Sequence, residues 1–336
     1  MSIDFGLLLE WTVKSAILIL MALVGFAYLT LFERRVLARM QVRIGPNRAG
    51  PWGLLQPVAD GLKLIFKEEL IPAGADRLLF ILAPIVTVVP ALILLAVIPL
   101  GPVVNLFGRQ IGLGLADDIN VGVLYLSAVT SVAVYGIVLA GWSSNNKYAL
   151  MGGIRSSAQM VSYELALGLV FVGPIMLAGS MSLRHIVLDQ EHLWYVFLQP
   201  IGFLIFLVAS LAEVNRAPFD MPEAEQELTA GYHVEYSGMK FALFFMAEYV
   251  KMIAVSVIAA TLFLGGYWGP LVEQVPWLGP LYLFAKVVAL VFLQLWVRAT
   301  LPRFRYDRLM AFGWKVLMPL SLLNVVATAL IVVLRR

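Results

Sequence analysis

Six carboxylates crowd the 23 residues from Glu213 to Glu235 (EVNRAPFDMPEAEQELTAGYHVE), between two strongly apolar stretches. With Glu248 just beyond, seven of the chain's 21 acidic residues fall within 36 positions. An ionised carboxylate beside hydrocarbon costs several kcal/mol unless it is paired or hydrated, so acids in such numbers point to proton or cation handling. Asp220, Pro222 and Glu223 also fit the N-cap, first-turn proline and N3 acid of a capping arrangement. That reading leaves Glu213, Glu225, Glu227 and Glu248 unexplained. On a helix Glu223 and Glu227 share a face at i,i+4, where like charges repel. Crowded carboxylates raise one another's pKa, which suits a proton relay; the rival reading is a solvated acidic face.

Further chemistry-bearing residues lie inside apolar runs. Glu164 sits in SYELALG, and Glu248 and Lys251 sit one turn apart in FFMAEYVKM, where an intrahelical ion pair is the simple expectation. Lys286 is an intramembrane base with no evident partner in sequence. Arg216 and the run RATLPRFRYDRLM, with Arg298, Arg303, Arg305 and Arg308, supply cations near the acids, and Asp307 reads as paired locally.

The elements that must position these residues are membrane helices. The chain is 61% hydrophobic and 13% charged, with a mean hydropathy of +0.89, outside the range of soluble domains. Apolar runs of about 20 residues suffice to cross a bilayer, and eight occur, near 11–32, 78–100, 120–142, 158–179, 194–213, 239–263, 278–297 and 313–334. The expected fold is all-α: one polytopic membrane domain over 1–336. The N-terminus lacks the basic region and cleavage site of a signal peptide, so the first run reads as a retained helix. Cysteine is absent, which excludes thiolate metal sites, iron–sulfur ligation and disulfides. His185, His192 and His233 show no ligand spacing, and no cofactor signature appears. Connections after the second, fourth and sixth runs hold only Arg109 and Arg184, whereas the others are rich in Lys and Arg. The positive-inside rule therefore places the latter in the cytoplasm, with Arg335 and Arg336 dissenting. Residues 33–76 and 214–238 become the first and the acidic cytoplasmic loops.

In the first of these, Gly45-Pro46-Asn47 and Gly50-Pro51 mark turns. A helical pattern follows: Leu54, Leu55, Val58, Leu62, Ile65 and Phe66 on one face, and Gln56, Asp60, Lys63 and Lys67 on the other. It reads either as an interfacial helix with an Asp60–Lys63 surface pair or as a helix whose polar stripe lines a ligand cavity. Arg34, Arg35, Arg39, Arg43 and Arg48 read as topology anchors or as a surface for an acidic partner, with Glu33 as their local counter-ion.

Four runs, ERRVLARMQVRIGPNRAGPWGLLQPVADGLK, SSNNKYALMGGIRSSAQMVSYE, EVNRAPFDMPEAEQELTAGYHVEYSGMKFALFFMAEY and RATLPRFRYDRLM, together resemble the H-type membrane component of proton-translocating NADH–quinone oxidoreductase, respiratory complex I. The resemblance covers essentially the whole chain. It implies a membrane subunit at the heel of an L-shaped complex, in contact with quinone and the lipid bilayer; the absence of cysteine and the plain N-terminus fit a bacterial plasma membrane. Its partners would be the peripheral-arm subunits bearing the terminal iron–sulfur cluster and quinone head-group pocket, and other small membrane-arm subunits; nucleic acid has no part. The chain itself would carry no redox cofactor; NADH, FMN and iron–sulfur clusters belong to partner subunits, and quinone is the substrate. The family's quinone tunnel maps onto Arg34, Arg43, Asp60 and Phe219. Its acidic funnel maps onto Glu213, Asp220, Glu223, Glu225, Glu227 and Glu248, with Glu164 further along and Arg216 and Arg298 as basic partners. Two other expectations stand beside it: the membrane subunit of an energy-converting hydrogenase, which shares the acidic loop, and a stand-alone cation/proton antiporter.

Overall fold

In a computed structural model, which describes residues 5–106, 109–221 and 229–335, nearly every apolar run is a helix. The first, α1 (Phe5–Met40), runs on past its apolar stretch, so Glu33, Arg34, Arg35 and Arg39 ride on its last turns rather than in a loop. A short helix follows, α2 (Gln56–Phe66), then α3 (Arg77–Ile93), α4 (Gly122–Ser143) and α5 (Lys147–Ala178). The remainder are α6 (Leu183–Asp189), α7 (Tyr195–Leu198), α8 (Pro200–Glu213), α9 (Gly238–Phe263), α10 (Leu278–Thr300), α11 (Tyr306–Phe312) and α12 (Met318–Arg335). A π-helical turn, Gly313–Leu317, joins α11 to α12. Among the described residues the strands are confined to one three-residue antiparallel ribbon, with Val104 opposite Ile111.

Seven helical segments among the described residues are long and apolar enough to cross a membrane. The eighth expected run, 194–213, is split. Gln199 leaves helical geometry (φ −133, ψ 58) ahead of Pro200, because a residue before proline is pushed out of the α region. The Gln199 side chain instead donates to Thr328 Oγ1 on α12 at 3.0 Å. At 1.5 Å per residue, the 14-residue α8 is about 21 Å long, short of the roughly 30 Å hydrocarbon layer.

Local signals set several helix ends. Asp76 accepts from Leu78 N and Leu79 N at 3.1 and 3.2 Å and caps α3; Asn146 accepts from Tyr148 N at 2.9 Å and caps α5. Membrane helices gain little from hydrophobic burial against one another, so small residues that admit close packing carry the interfaces. Gly136 of α4 lies on α3: a Cβ there would meet Thr87 Oγ1 at 2.1 Å. Gly141 of α4 faces the Ala149 carbonyl and Gly153 of α5, and Gly152 abuts Gly231. The main core, including Tyr163, Phe206, Phe263, Leu126 and Leu262, lies where α4, α5, α8 and α9 converge. α1 and α12, at the margins, leave most of their apolar surface exposed.

Candidate functional site

The stripe Leu18, Ala22, Leu29 and Glu33 follows helical spacing down the buried face of α1, so the last member places a carboxylate inside the bundle. Glu33 is 4% exposed. Its oxygens accept from Arg216 Nη1 at 2.9 and 3.0 Å, and Arg298 of α10 pairs with it as well. Arg216 also pairs through Nε with Glu248 of α9 and lies 4.3 Å from the centre of the Tyr249 ring. Four segments thus meet on two guanidinium groups and two carboxylates. Burial works against the Arg216 charge, but Glu248 and Glu33 beside it outweigh that and hold its pKa above the ordinary arginine value. Breaking a buried pair of this kind costs about 3–5 kcal/mol.

Arg216 is held in place by the turn that closes α8. Arg216 N donates to Leu211 O, and Phe219 N donates to Arg216 O. Gln159 of α5 is fully buried and clamps the turn, with Nε2 donating to the carbonyls of Ala212 and Phe219 at 2.8 Å each. Phe219 packs between Tyr163 and Phe304, at ring-centre distances of 5.5 and 5.7 Å. Asp220 is close enough to act electrostatically on Glu248. Glu223, Glu225 and Glu227 lie outside the described residues.

A second set of charges adjoins the first. Glu213, at the end of α8, is 2% exposed, and neither of its carboxyl oxygens has a hydrogen-bond partner among the described residues. Lys251 of α9 and Glu164 of α5 act on it electrostatically. Glu164 in turn accepts a hydrogen bond from Ser131 of α4. A cavity of about 20 Å³ lies between the two sets, lined by Thr87, Asn215, Tyr232, Phe244, Glu248 and Lys251 among others. That volume has room for one water, which needs two to four polar partners.

Of the expected tunnel residues, Arg34, Arg43 and Asp60 lie at the C-terminal end of α1 and on α2, whereas Phe219 is buried in the turn after α8. Arg34 Nη1 and Asp60 Oδ2 are 2.7 Å apart, and Gln56 Nε2 donates to Asp60 Oδ1 at 3.0 Å, so α2 is tethered to α1 by its polar stripe. Its apolar residues Val58, Leu62, Ile65 and Phe66 stay exposed. Arg43 is exposed and donates from Nε to Gln41 Oε1 at 2.8 Å. Arg34 and Asp60 are too exposed for their pairing to contribute more than about 0–1 kcal/mol.

Three local pairings expected from the sequence are replaced. Glu33 pairs with Arg216 and Arg298 rather than with its neighbouring arginines. Asp60 pairs with Arg34 rather than Lys63. Glu248 and Lys251 form no ion pair among the described residues: Arg216 takes the carboxylate. Asp307 does pair locally, with Arg305 at 3.0 Å. Lys286 has carbonyl partners: Nζ donates to Leu264, Gly266 and Trp268 O at 2.6, 2.9 and 2.6 Å, using all three donors of the ammonium. The signal for Glu33 was its place on the apolar stripe of α1; Gln159 and Ser131 had no comparable signal.

Beside the acidic segment, Glu235 accepts from Asn146 Nδ2 at 2.7 Å. His233 is packed edge-on to Tyr232 and Phe241, and burial pushes its pKa down to about 4. Tyr236 stacks on Phe80 at 4.0 Å; burial pushes it up to about 12, against the lowering effect of its Ser143 hydrogen bond.

The NADH dehydrogenase family model matches residues 13–329. The chain is 54% identical over 315 residues to the H subunit of NADH-quinone oxidoreductase from Thermomicrobium roseum, covering 91% of each chain. Over 333 residues it is 52% identical to an H subunit of the same enzyme from Geobacter sulfurreducens, covering 96% of this chain and 94% of that one. The protein of the same name from Protochlamydia amoebophila is 54% identical over 303 residues, 90% of this chain and 91% of that one. With a family match that leaves out only the chain ends, and relatives sharing half its residues along nearly all of its length, the chain belongs to the NADH dehydrogenase family, that of the H subunits of NADH-quinone oxidoreductase.

Proposed function

We propose that this chain is the membrane subunit that forms the bilayer side of the quinone tunnel in a proton-translocating NADH–quinone oxidoreductase, and that its buried charges couple quinone reduction to proton movement. The observation that carries this reading is the run of buried charge from Glu33 and Arg216 through Glu248 to Lys251, Glu213 and Glu164, built from α1, α5, α8, α9 and α10. A purely structural anchor has no use for so many buried ionisable groups. The exposed apolar face of α2, with Arg34 and Asp60 at its root, fits a surface along which an isoprenoid tail passes while the polar stripe meets the head group. Arg43 belongs to the same end, while Phe219 is packed between Tyr163 and Phe304 beside the Arg216 turn.

In this reading the chain carries no redox cofactor. NADH, FMN and iron–sulfur clusters sit on partner subunits of the peripheral arm, which dock on the arginine-rich end of α1, and other small membrane-arm subunits cover the bundle's flanks. The charged connections face the cytoplasm of a bacterial plasma membrane. Adding an electron pair to quinone near Arg34 and Asp60 changes the local charge, and Asp220, Glu223, Glu225 and Glu227 pass that change on to Glu248 and Glu213.

Photo-crosslinking with an azido-quinone on native membranes, followed by peptide mapping, tests the quinone end. Label in 33–67 or 213–245, competed away by excess quinone, is the expected result. Label elsewhere, or label that excess quinone does not compete, overturns it.

A further inference from the structure

Polar groups recur at four-residue spacing along one face of α10. Arg298 pairs with Glu33. One turn away, Gln294 Nε2 donates to Ser256 Oγ on α9 at 3.2 Å, and Ser256 lies two turns beyond Glu248 on that helix. Leu290 comes next and is buried, and Lys286 follows. Positions 298, 294, 290 and 286 share a face at i,i+4 spacing and span about 18 Å at 1.5 Å per residue. The seam between α9 and α10 is thus polar from the charge cluster to its middle, apolar for one layer, and charged again at the far end.

The far end is built tightly. Three carbonyls, of Leu264, Gly266 and Trp268, accept from Lys286 Nζ at 2.6–2.9 Å; three acceptors need three donors, so the group is an ammonium. The carbonyls converge because Gly265 and Gly266 take φ of +72 and +53, a conformation that glycine adopts without strain. Gln190 pins the same turn, its Oε1 accepting from Gly265 N at 3.0 Å and its Nε2 donating to Thr261 O at 2.9 Å. Nζ also lies 4.5 Å from the centre of the Trp194 ring, which packs so closely that a Cβ on Gly265 would meet it at 2.8 Å. Among the described residues the charge is thus compensated by carbonyl dipoles and a ring face rather than by a carboxylate. The end of α9 does not need that charge: Gly266 N already donates to Ala260 O at 2.8 Å, the closure of a glycine C-cap.

An ammonium with all three N–H groups engaged has no lone pair to accept a proton and none of its own free to pass on. Its fixed charge also repels any cation that reaches it, as a positive group does in a pore that excludes protons. We infer that Lys286 is the electrostatic seal of the α9–α10 seam, closing the far end of this polar line to protons and cations. The inference rests on the chain's place in a proton-translocating complex, where an unclosed polar line through the bilayer would dissipate the gradient.

The seal is read as the passive proton permeability of vesicles containing the assembled complex, under an imposed pH gradient with neither NADH nor quinone added. Lys286→Gln keeps donors for the carbonyls and removes the charge. It raises the leak about tenfold or more over the native complex, the scale of taking one fixed charge from a cation's path. Lys286→Met leaks as well, and Lys286→Arg stays as tight as the native complex. Leu290→Asn breaks the apolar layer but leaves the ammonium, and also stays tight. Native permeability in Lys286→Gln and Lys286→Met overturns the inference and leaves Lys286 as a cap on the turn after α9. A leak in Lys286→Arg or Leu290→Asn as large as that in Lys286→Gln overturns it too, because charge is then not what closes the seam. Failure of both neutral variants to assemble has the same meaning: the residue is structural. No quinone chemistry runs in this assay, so its outcome is separate from that of azido-quinone labelling.

Discussion

Replacing Arg216 by Met removes the cation between two buried carboxylates while keeping much of its apolar volume. Glu248 loses its ion-pair partner, Glu33 keeps only Arg298, and the contact with the Tyr249 ring disappears. Side-chain exposures of 6% for Arg216 and 5% for Glu33 place the pair in the buried class, where removing one partner costs about 3–5 kcal/mol. At 1.4 kcal/mol per tenfold, that raises the open, protease-sensitive population by roughly two to three and a half orders of magnitude. The assay is proteolysis of native membranes under conditions of fast reclosing, where cleavage follows the open population, detected through an epitope on this chain. Two controls fix the interpretation. Arg34→Ala breaks a pair with 49% and 27% exposed side chains and costs about 1 kcal/mol or less. Arg216→Met/Glu248→Gln removes both partners and costs less than the sum of its single changes, by about 1–3 kcal/mol of coupling. Arg216→Met indistinguishable from Arg34→Ala, or strict additivity in the double variant, refutes the reasoning.

His233 is buried neutral with its pKa pushed from 6.5 to about 4, so the unfolded chain binds more protons between those values and stability falls as pH drops through that window. The loss reaches about 3 kcal/mol by pH 4, and His233→Phe flattens this acid limb in a pH series of the same proteolysis assay. Gly152→Ala puts a methyl 2.8 Å from Gly231 Cα and Tyr232 N, both backbone atoms, and destabilises the junction of α5 with the acidic connection by about 1–3 kcal/mol, read as reduced assembled complex on native gels. Lys286→Met leaves three carbonyls at the end of α9 without their donor at about 1–3 kcal/mol. Hydrogen exchange speeds up in residues 264–268 and not in the α1 end.

The class of fold was legible because hydropathy has to be continuous over a span, and seven of the eight expected runs are helices of spanning length. The run at 194–213 misled because its composition is uniformly apolar while Pro200 constrains Gln199, a backbone effect that averaging hides. Arg216, Glu213, Glu248 and Arg298 were picked out by type and membrane context, and the structure brings all four into one region. Pairing was less legible. Sequence supplies only local partners, so Glu33 was matched with the arginines beside it and Lys251 with Glu248. In the bundle, contacts 183 and 265 residues apart in sequence decide instead. Helical phase carried more information than adjacency: Glu33 continues the buried stripe of Leu18, Ala22 and Leu29, whereas Arg34 turns outward to Asp60.

In the proposed function, buried charge in this chain links quinone chemistry to proton movement. Glu213→Gln tests it in reconstituted vesicles, with quinone reduction, proton translocation and NADH oxidation by an artificial acceptor followed on one preparation. The expected result is intact NADH oxidation by the acceptor, with quinone reduction and proton translocation lowered about a hundredfold or more, the scale of losing one positioned proton-transfer group. Full quinone-coupled proton translocation in Glu213→Gln would contradict it.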